Sequence, residues 1–549
     1  MVLSALACAK CLILGLRTDE EYAVTMAYRI AAGDRMFLDI WDPHQTSGFL
    51  CAAFIRLFLC FSPKPDYLVL YLRLTGILLQ GSVSLFAYTT FKKKYPQPLA
   101  FFCGLLCFTL LPKWILVPEF SNLLFWGSLC TMLCFFRIGY GSRHPYCLLV
   151  SAGLFTCCAV LAYPTWILTV LVYSASFFIL RKPDAWKYLG CYLGTCLSVG
   201  IGYILYFCLR LSPSGLIEGI RHMAVDGSHR TTPTELLTSY AGEITGDMLP
   251  FLLQLLAAAA VAYFFLYRFV LLKAGRSARL MAFLLLLFLF SLIQQLLIWL
   301  GNSSYLNEPY LFFFVSFLIG GFLLKQNRAM AWLGFWPACS TLLAALLLTN
   351  TGIRVTGAYL LPGILAVLLT LYDTLPHRPD RAAAILRPLY GFTLFTFAGL
   401  LLFAKGFLVN ENGGYKSTVS YVKQKALTGP AKNIYCQYIE GYPYNIVAGL
   451  APQYINEEDT VLCLTDHSIW YLLTGGTIGN YSTISTPTFD ERLLEYWELH
   501  PERYPDIVVA SSFPDSEKIL RLLGLETPVA EQEGIAVYRV ERPPDALPE

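Results

Sequence analysis

Charged residues are scarce in this chain, and their distribution is uneven. Lys, Arg, Asp and Glu make up 14% of the 549 residues, whereas about a quarter is usual in soluble globular proteins. Residues 1–406 are a series of apolar runs, and residues 407–549 have an ordinary polar mixture. The net charge is only +3, and the basic residues form no continuous stripe, so the sequence indicates no nucleic-acid partner. The composition predicts a membrane-embedded region, 1–406, followed by a soluble domain, 407–549.

The cysteines form no pattern that is typical of a metal site. Fifteen of the 17 precede residue 406, mostly inside apolar runs, and they lack paired CxxC or Cys/His spacing. We interpret them as packing residues that face lipid or neighbouring helices, and we assign no metal ligands. Cys436 and Cys463 are the two in the soluble domain, and the sequence leaves open whether they pair.

Thirteen apolar runs have the composition of membrane-spanning helices. Sixteen basic residues lie in alternate short loops, which marks that face as cytoplasmic. We therefore predict an all-α polytopic fold with a cytoplasmic N-terminus. The extracytoplasmic side then carries the long segments 17–67 and 211–249 and the C-terminal domain. The predicted spans are 2–16, 68–91, 97–112, 121–137, 146–162, 165–180, 188–210, 250–272, 280–300, 310–324, 331–349, 357–372 and 388–406.

The C-terminal domain alternates strand-like and helix-like runs, which is typical of a small α/β domain. Residues 460–464, 506–510 and 535–540 are predicted strands, and residues 489–499 and 515–522 are predicted helices. Asp466, His467 and Ser468 are consecutive and lack a nucleophile-elbow motif, so we interpret them as a turn. We expect this domain to be accessory.

The first outer segment carries an unusual density of acids. Apolar spacing predicts a helix over 19–32, lying on the membrane surface, with Thr18 and Glu21 as a capping box. Asp19, Glu20 and Glu21 begin this helix, where acids interact favourably with the helix dipole. The alternative is that Asp19, at the outer end of the first span, acts as a general base.

The pattern Asp19-Glu20-x-Tyr22-Ala23, followed by Gly33-Asp34, resembles the first outer loop of GT-C membrane glycosyltransferases. The similarity is to the aminoarabinose transferases of lipid A and to the protein O-mannosyltransferases, which carry an Asp-Glu pair after the first helix. It extends to a second surface element, 53–61, and covers roughly residues 1–200 by pattern. The chain has Asp42-Pro43-His44-Gln45 where aminoarabinose enzymes have Lys-Pro, and in this it resembles bacterial relatives with a His-Gln pair.

The resemblance implies an enzyme that moves a sugar from a polyprenyl-phosphate donor to a lipid, glycan or protein acceptor, with inversion. It implies Asp19 as the general base, with Glu20, also counted as catalytic, and Tyr22 as its supporting shell. Glu119, at the outer end of the third helix, sits where the family often has a second acidic group, and a helix cap near Asn122 is the alternative for this residue. Some GT-C members use a divalent metal, and the sequence leaves that requirement open. Contacts to the donor are expected from residues on the outer side, which are Tyr22, His44, Gln45, Arg56, Arg73, Glu119, Arg221, His222, Arg230 and Arg354.

A transporter or a flippase for lipid-linked sugars is the alternative function. Such a protein needs ionisable residues inside its helices near the middle of the membrane. The predicted spans are nearly free of them, and Lys10 is the main exception. This distribution favours the enzyme.

Overall fold

The computed structural model describes residues 2–180, 184–224, 232–272, 274–300, 309–347, 352–376, 382–411, 414–484, 489–511 and 516–541. Its first part is a bundle of helices, several of them interrupted by short 3₁₀ or π turns. The helices are α1 (Val2–Ile13), α2 (Thr18–Ala32), α3 (Gly48–Phe61), α4 (Leu68–Phe91), α5 (Gln97–Thr109), α6 (Phe120–Gly139), α7 (Pro145–Ala162), α8 (Ile167–Ile179), α9 (Ala185–Ala224), α10 (Pro233–Gly242), α11 (Leu249–Leu266), α12 (Arg276–Leu300), α13 (Pro309–Gln326), α14 (Arg328–Met330), α15 (Trp336–Leu346), α16 (Ile353–Thr356), α17 (Leu361–Asp373) and α18 (Ala383–Phe407).

Each of the thirteen predicted spans coincides with an apolar helix, so the all-α polytopic fold is confirmed. In the described part of the chain, eight helices are long and apolar enough to cross a membrane. The other predicted spans are shorter apolar helices such as α5 and α17. Helix α17 is buried from Leu361 to Leu371, so its neighbours cover it on every side. A helix in that position contacts protein along its length, and it does not have to match the thickness of the bilayer by itself.

The bundle has two distinct faces, which α4 connects. At its first turn, the Val69 amide donates to the carbonyl of Pro430 in the C-terminal domain. Beyond its other end, Lys94 pairs with Asp373 at 3.0 Å. The 24 residues of α4 span about 36 Å. The basic loop at Lys92–Lys94 and the C-terminal domain therefore lie on opposite faces.

Segment 211–249 was expected to be a polar loop with a helical stretch at 235–240; that stretch is confirmed as part of α10, but the start of the segment is helical as well. Helix α9 continues to Ala224 through a kink at Ser212, where φ is 64° and Pro213 follows. Proline lacks the amide that a continuous helix needs, which explains a sharp bend at this point. The arm beyond the kink packs on Phe37, whose ring meets Phe207 edge to face at 5.0 Å. Helix α10 begins with a capping box formed by Thr232 and Glu235.

The predicted membrane-surface position of α2 is wrong. The helix exists at nearly the predicted bounds, but ten of its residues, including the run Glu20–Ala27, are buried. It lies between the bundle and the C-terminal domain, and Thr25 donates its hydroxyl to the carbonyl of Ser468 at 3.1 Å. The capping box is also wrong, because the Glu21 carboxylate contacts His467.

The C-terminal domain has the predicted α/β architecture. It begins with two short hairpins, β1 (Leu408–Glu411) with β2 (Gly414–Ser417) and β3 (Gln424–Lys425) with β4 (Tyr435–Cys436). Its main sheet has the order β6-β5-β7-β9-β8, from β5 (Thr460–Leu464), β6 (Thr477–Ile478), β7 (Ile507–Ala510), β8 (Ala530–Gln532) and β9 (Ile535–Arg539). Strands β5 and β7 are parallel and fully buried. The helices are α19 (Thr418–Tyr421), α20 (Tyr438–Tyr454), α21 (Tyr471–Thr474), α22 (Phe489–Leu499) and α23 (Ser516–Leu522).

The predicted strands and helices of this domain are present within one or two residues of their expected ends. Helix α20 was not predicted, because Pro443 and Pro452 within it are atypical of a helix interior. Cys436 and Cys463 are buried and unpaired.

The two faces give a test of membrane orientation. A reporter fused at Lys93 should indicate the cytoplasm, and a reporter fused at Gly414 should indicate the outer side, because basic loops are retained inside. Paired phosphatase and fluorescent-protein fusions in intact cells would measure this. If both fusions indicate the same side, the orientation and the number of spans are wrong.

Candidate active site

A cluster of polar side chains surrounds Phe120 on the face covered by the C-terminal domain. We call it the Phe120 cluster and define it as Asp19, Tyr22, His44, Lys113, Glu119 and Tyr163. The His44 ring stacks on Phe120 with centroids 3.9 Å apart, and the Tyr22 ring approaches it edge-on at 6.5 Å. The Lys113 ammonium lies 5.5 Å from the Phe120 ring centre. Of the predicted site residues, the structure thus brings together Asp19, Tyr22, His44 and Glu119.

Lys113 pairs with Asp19, with 2.5 Å between Nζ and Oδ2, and the Asp19 side chain is 30% exposed. Burial alone would lower the pKa of Lys113, but Asp19 outweighs it and raises that pKa above its usual range. The ammonium is therefore charged at neutral pH.

The turn that carries Lys113 is strained and closely packed. Lys113 and Trp114 have φ values of 50° and 55°, which are unfavourable for residues with a side chain. The guanidinium of Arg17 donates to the carbonyl of Trp114 at 2.7 Å and so holds the turn. A Cβ on Gly76 would lie 1.5 Å from the carbonyl oxygen of Leu116, so only glycine lets this loop pack against α4. Strained backbone of this kind is concentrated at functional sites.

Glu119 is the buried acid of the cluster, with 2% of its surface exposed. Burial raises its pKa to about 7, although the amides of Ser121 and Asn122 and the charge of Lys113 act in the opposite direction. Both amides donate to the carboxylate at 2.8 Å, so Glu119 caps α6. Of the two alternatives for Glu119, a second acidic group or a helix cap, the structure shows the helix cap. The raised pKa adds a group that can exchange protons near neutral pH.

Glu20 and Arg73 form a fully buried ion pair. Arg73 donates to both carboxylate oxygens of Glu20, at 2.8 and 2.5 Å. The side chain of Arg73 is 1% exposed and that of Glu20 is 0% exposed. The guanidinium also donates to the carbonyls of Leu12 and Gly15 at the end of α1. The donors of Arg73 are therefore occupied by the protein. This corrects the expected role of Arg73 as a donor contact and that of Glu20 as a catalytic acid.

Glu21 pairs with the C-terminal domain. Its buried carboxylate lies 3.3 Å from Nδ1 of His467, in the loop after β5. Burial alone would lower the pKa of His467, but Glu21, with smaller contributions from Glu440 and Asp466, raises it above its usual value. The consecutive residues Asp466–Ser468 thus form a contact to α2, in addition to being a turn.

A cavity of about 800 Å³ lies beside the first outer segment, between that segment and helices α7 and α9. Its walls include Ala52, Leu161 and Val199, and Tyr206 on its rim is 48% exposed. Three arginines and one acid also line it, which are Arg35, Arg56, Arg210 and Asp34. Of the expected donor contacts, only Arg56 lines this cavity among the described residues.

The remaining predicted contacts lie away from the cluster. Gln45 is buried, and its Oε1 accepts from the amide of Phe37 at 2.7 Å. His222 stacks on Trp41 at 4.1 Å, and its carbonyl accepts from Arg492 of the C-terminal domain. Arg221 is exposed on α9. Gln45 and His222 are held by other parts of the protein, and none of these three residues belongs to the Phe120 cluster. Arg230 and the side chain of Arg354 lie outside the described residues.

A divalent metal fits poorly at the Phe120 cluster. Such a cation needs several free carboxylate oxygens, but both oxygens of Glu119 accept backbone amides, and Asp19 binds the Lys113 ammonium. A metal there would be repelled by Lys113. Within the described ranges, no group of three His, Cys, Asp or Glu side chains is arranged to hold a metal. We therefore derive no step through a metal.

Sequence reasoning missed Lys113 and Tyr163. Lys113 directly follows a predicted span, 97–112, and such lysines usually extend to the membrane interface. A usable signal was its position on the same outer loop as Glu119, six residues earlier. Tyr163 has no comparable signal. Burial raises the pKa of Tyr163 to about 12, so its hydroxyl is a neutral donor in the cluster.

The buried Glu20–Arg73 pair gives a test of the scaffold. Arg73→Met should lower the free energy of unfolding by roughly 3–5 kcal/mol, because Glu20 would stay buried without its partner. The double variant Glu20→Gln with Arg73→Met should recover much of that loss. Thermal denaturation in detergent measures both. Lys94→Met, which breaks a half-exposed pair with Asp373, should cost no more than about 1 kcal/mol. A double variant as unstable as Arg73→Met would contradict the pairing.

The Glu21–His467 contact gives a test of pH dependence. The raised pKa of His467 means that the pair contributes stability below the ordinary histidine pKa and loses it as pH rises through the raised value. The melting temperature of wild type should therefore exceed that of His467→Gln most at low pH, with the gap closing towards high pH. His500→Gln is the matched control, because His500 also lies 3.3 Å from a glutamate, Glu502, whose side chain is 62% exposed. A gap for His467→Gln that is constant from pH 5 to 9 would contradict this assignment.

Comparisons with known proteins return similar solved structures only. No protein-family model matches the chain, and no curated protein matches it. An oligosaccharyltransferase from Archaeoglobus fulgidus, solved with Zn and sulfate, is 12% identical, with a TM-score of 0.48, covering 95% of this chain and 69% of that one. ArnT from Cupriavidus metallidurans bound to undecaprenyl phosphate is 16% identical, with a TM-score of 0.42, covering 98% and 97%. Its apo structure is 15% identical, with a TM-score of 0.41, covering 98% and 96%.

Proposed function

We propose that this chain is an integral-membrane glycosyltransferase. It moves a sugar from a polyprenyl-phosphate donor to a lipid, glycan or protein acceptor on the face that carries the C-terminal domain. The observation that supports this most is the Phe120 cluster, in which an accessible carboxylate, Asp19, lies beside a permanently charged ammonium, Lys113. The transfer of a glycosyl group away from a phosphate requires one group of each kind. By the charge distribution of the loops, this face is extracytoplasmic.

In the proposed reaction, Asp19 is the general base. An acceptor hydroxyl oxygen attacks the anomeric carbon from the side opposite the phosphate, and its proton passes to Asp19. The new carbon–oxygen bond forms as the bond from the anomeric carbon to the phosphate oxygen breaks. The bonding pair leaves with the polyprenyl phosphate, so the configuration at the anomeric carbon inverts.

Lys113 is proposed to stabilise the departing phosphate. Negative charge grows on the phosphate as the bond breaks, and a fixed cation in a water-poor site stabilises that charge strongly. When the donor is bound, the ammonium is shared between Asp19 and the phosphate. Asp19 becomes a stronger base as its share decreases. The neutral hydroxyl of Tyr163 and the ring of His44 line the same space, and we assign them donor contacts.

The role that we propose for Glu119 differs from that of Asp19. It is buried and capped by two backbone amides, so it is poorly placed to reach an acceptor hydroxyl. Its charge lies near Lys113 and raises the pKa of that residue. We therefore assign Glu119 to holding Lys113 in its charged state. It is the leading candidate for the base if Asp19 is not.

The transporter alternative is less consistent with the structure. Helix α7 contains no Lys, Arg, Asp or Glu, and in α4, α6, α12 and α18 the charged residues lie within the first or last two turns. Lys10, the exception noted in the sequence, donates to the carbonyl of Leu408, where the bundle meets the C-terminal domain. A carrier for a charged substrate requires ionisable groups at the middle of the membrane.

Substitution of Asp19 tests the proposed chemistry. Asp19→Asn should reduce sugar transfer by roughly 100- to 10,000-fold, the usual contribution of a general base, while the protein still inserts and folds. Release of polyprenyl phosphate from a polyprenyl-phosphate sugar in proteoliposomes, with membrane extract as acceptor, measures the rate. Lipid and glycan analysis of a deletion strain complemented with each variant shows which sugar is lost.

The matched control for Asp19→Asn is Asp66→Asn. Asp66 also pairs with a lysine, Lys432, at 3.3 Å on the same face, and its side chain is 37% exposed. It lies outside the Phe120 cluster, so its loss should leave the rate unchanged. Glu21→Gln is a poor control, because Glu21 holds His467. A normal rate for Asp19→Asn would remove Asp19 from the mechanism, and Glu119→Gln would then be measured in its place.

A further inference from the structure

The length of α2 separates two groups of cations. Asp19 lies in the first turn of this helix, beside Lys113. At the other end, Arg56 donates to the carbonyls of Ile30 and Ala31, at 3.0 and 3.2 Å. Asp19 and Ile30 are eleven positions apart in α2, which corresponds to roughly 17 Å along the helix axis. The phosphate that leaves during transfer must lie within bonding distance of the sugar carbon that receives the acceptor oxygen. Arg56 therefore cannot hold that phosphate while Asp19 is the base.

The second group of cations lines the 800 Å³ cavity, and its charge is positive. Arg35 is paired with Asp39 at 3.1 Å, so Arg56 and Arg210 supply the positive charge, and Asp34 is the one acid among the lining residues. Asp34 is already bound by Arg29 and by Arg503, both at 2.7 Å, so it does not neutralise the cavity. The Arg210 guanidinium lies over the ring of Tyr206 at 4.6 Å. Guanidinium groups at the edge of an apolar, laterally open groove suit the phosphate of a lipid whose tail stays in the membrane.

A continuous wall leads from this cavity to the Phe120 cluster. Leu161 lines the cavity, and two residues later Tyr163 meets the ring of His44 at 5.5 Å. The hydroxyl of Thr46 donates to the carbonyl of Leu161 at 2.5 Å, which joins the first outer segment to the end of α7. The cavity and the Phe120 cluster are therefore neighbours, separated by the segment from Leu161 to Tyr163.

We infer that the cavity binds the acceptor, and that the acceptor is a lipid-linked glycan with a phosphate or diphosphate head group. Arg210, together with Arg56, holds the head group, the lipid tail lies along α7 and α9, and the reacting hydroxyl lies several sugars away, at Asp19. This inference rests on the proposed glycosyl transfer and names its acceptor class. It also moves Arg56 from the donor site, where the sequence placed it, to the acceptor site.

The first experiment measures binding and does not depend on activity. Farnesyl diphosphate is the probe, added to the purified full-length protein in detergent, and native mass spectrometry counts the bound copies. Wild type should bind two, one at Lys113 and one at the cavity arginines. Arg210→Gln should weaken one of them by roughly fivefold, the contribution of one cation to a lipid phosphate, and Lys113→Gln should weaken the other. Arg221→Gln is the matched control, because Arg221 is exposed on the same helix but does not line the cavity.

Binding has two outcomes that would overturn the inference. If Arg210→Gln binds the probe as tightly as Arg221→Gln does, the cavity is not a phosphate site. If wild type binds one copy, and Arg210→Gln but not Lys113→Gln weakens it, the cavity is the donor site. In that case the assignment of Asp19 as the base fails with it.

The second experiment separates an acceptor from an ordinary membrane lipid. In proteoliposomes, Arg210→Gln should raise the KM for a diphosphate-linked oligosaccharide acceptor roughly fivefold while leaving the KM for the donor unchanged. If phosphatidylglycerol displaces the probe equally well, and the acceptor KM does not change, the cavity holds a structural lipid and the inference is wrong. If no sugar is transferred by wild type while two probe copies bind, the proposed function fails and the phosphate site remains.

Discussion

The buried pair between Glu20 and Arg73 fixes the arrangement on which the active site depends. Arg73 joins three helices, because it binds Glu20 of α2 and the carbonyls that end α1, and it belongs to α4. Successive residues of a helix point about 100° apart. With Glu20 held towards α4, Asp19 is directed towards Lys113 and Glu21 towards His467. Three consecutive acids thus connect α2 to three different parts of the protein.

This arrangement explains why so much charge is buried at the junction. Taking Glu20 and Arg73 out of water costs several kcal/mol per ion, and the attraction between them offsets that cost only when the geometry is good. What the ion pair contributes is the position of α2. A helix held by ion pairs on three sides of its first turn cannot rotate or slide without leaving a charge unpaired, so its position against the bundle and the C-terminal domain is fixed. The C-terminal domain contributes one of these pairs, which gives it a structural part in the site.

The sequence predicts the helices and strands well and the contacts of its charged residues poorly. A run such as 68–91 is recognisable because the bilayer requires a long apolar helix whatever its neighbours are. Strand 460–464 is similarly determined by its own residues. Arg73 could not be distinguished from a phosphate-binding arginine, since its partner Glu20 lies 53 positions away. The helical arm of α9 beyond Ser212 was missed because Leu216 and Met223, isolated among polar residues, pack with Phe37, a contact that no local pattern reveals.

The positions of the cations follow from the chemistry at the two ends of α2. In the proposed mechanism, a cation beside the base Asp19 must not disable it, and one ammonium that is also drawn towards Glu119 meets this condition. A cluster of guanidinium groups at the same place would hold Asp19 too firmly to accept a proton. At the far end of the helix there is no base to disable, and three arginines can collect around the cavity. The separation therefore permits strong binding of an anionic head group and efficient proton transfer in one protein, which a single crowded site could not combine.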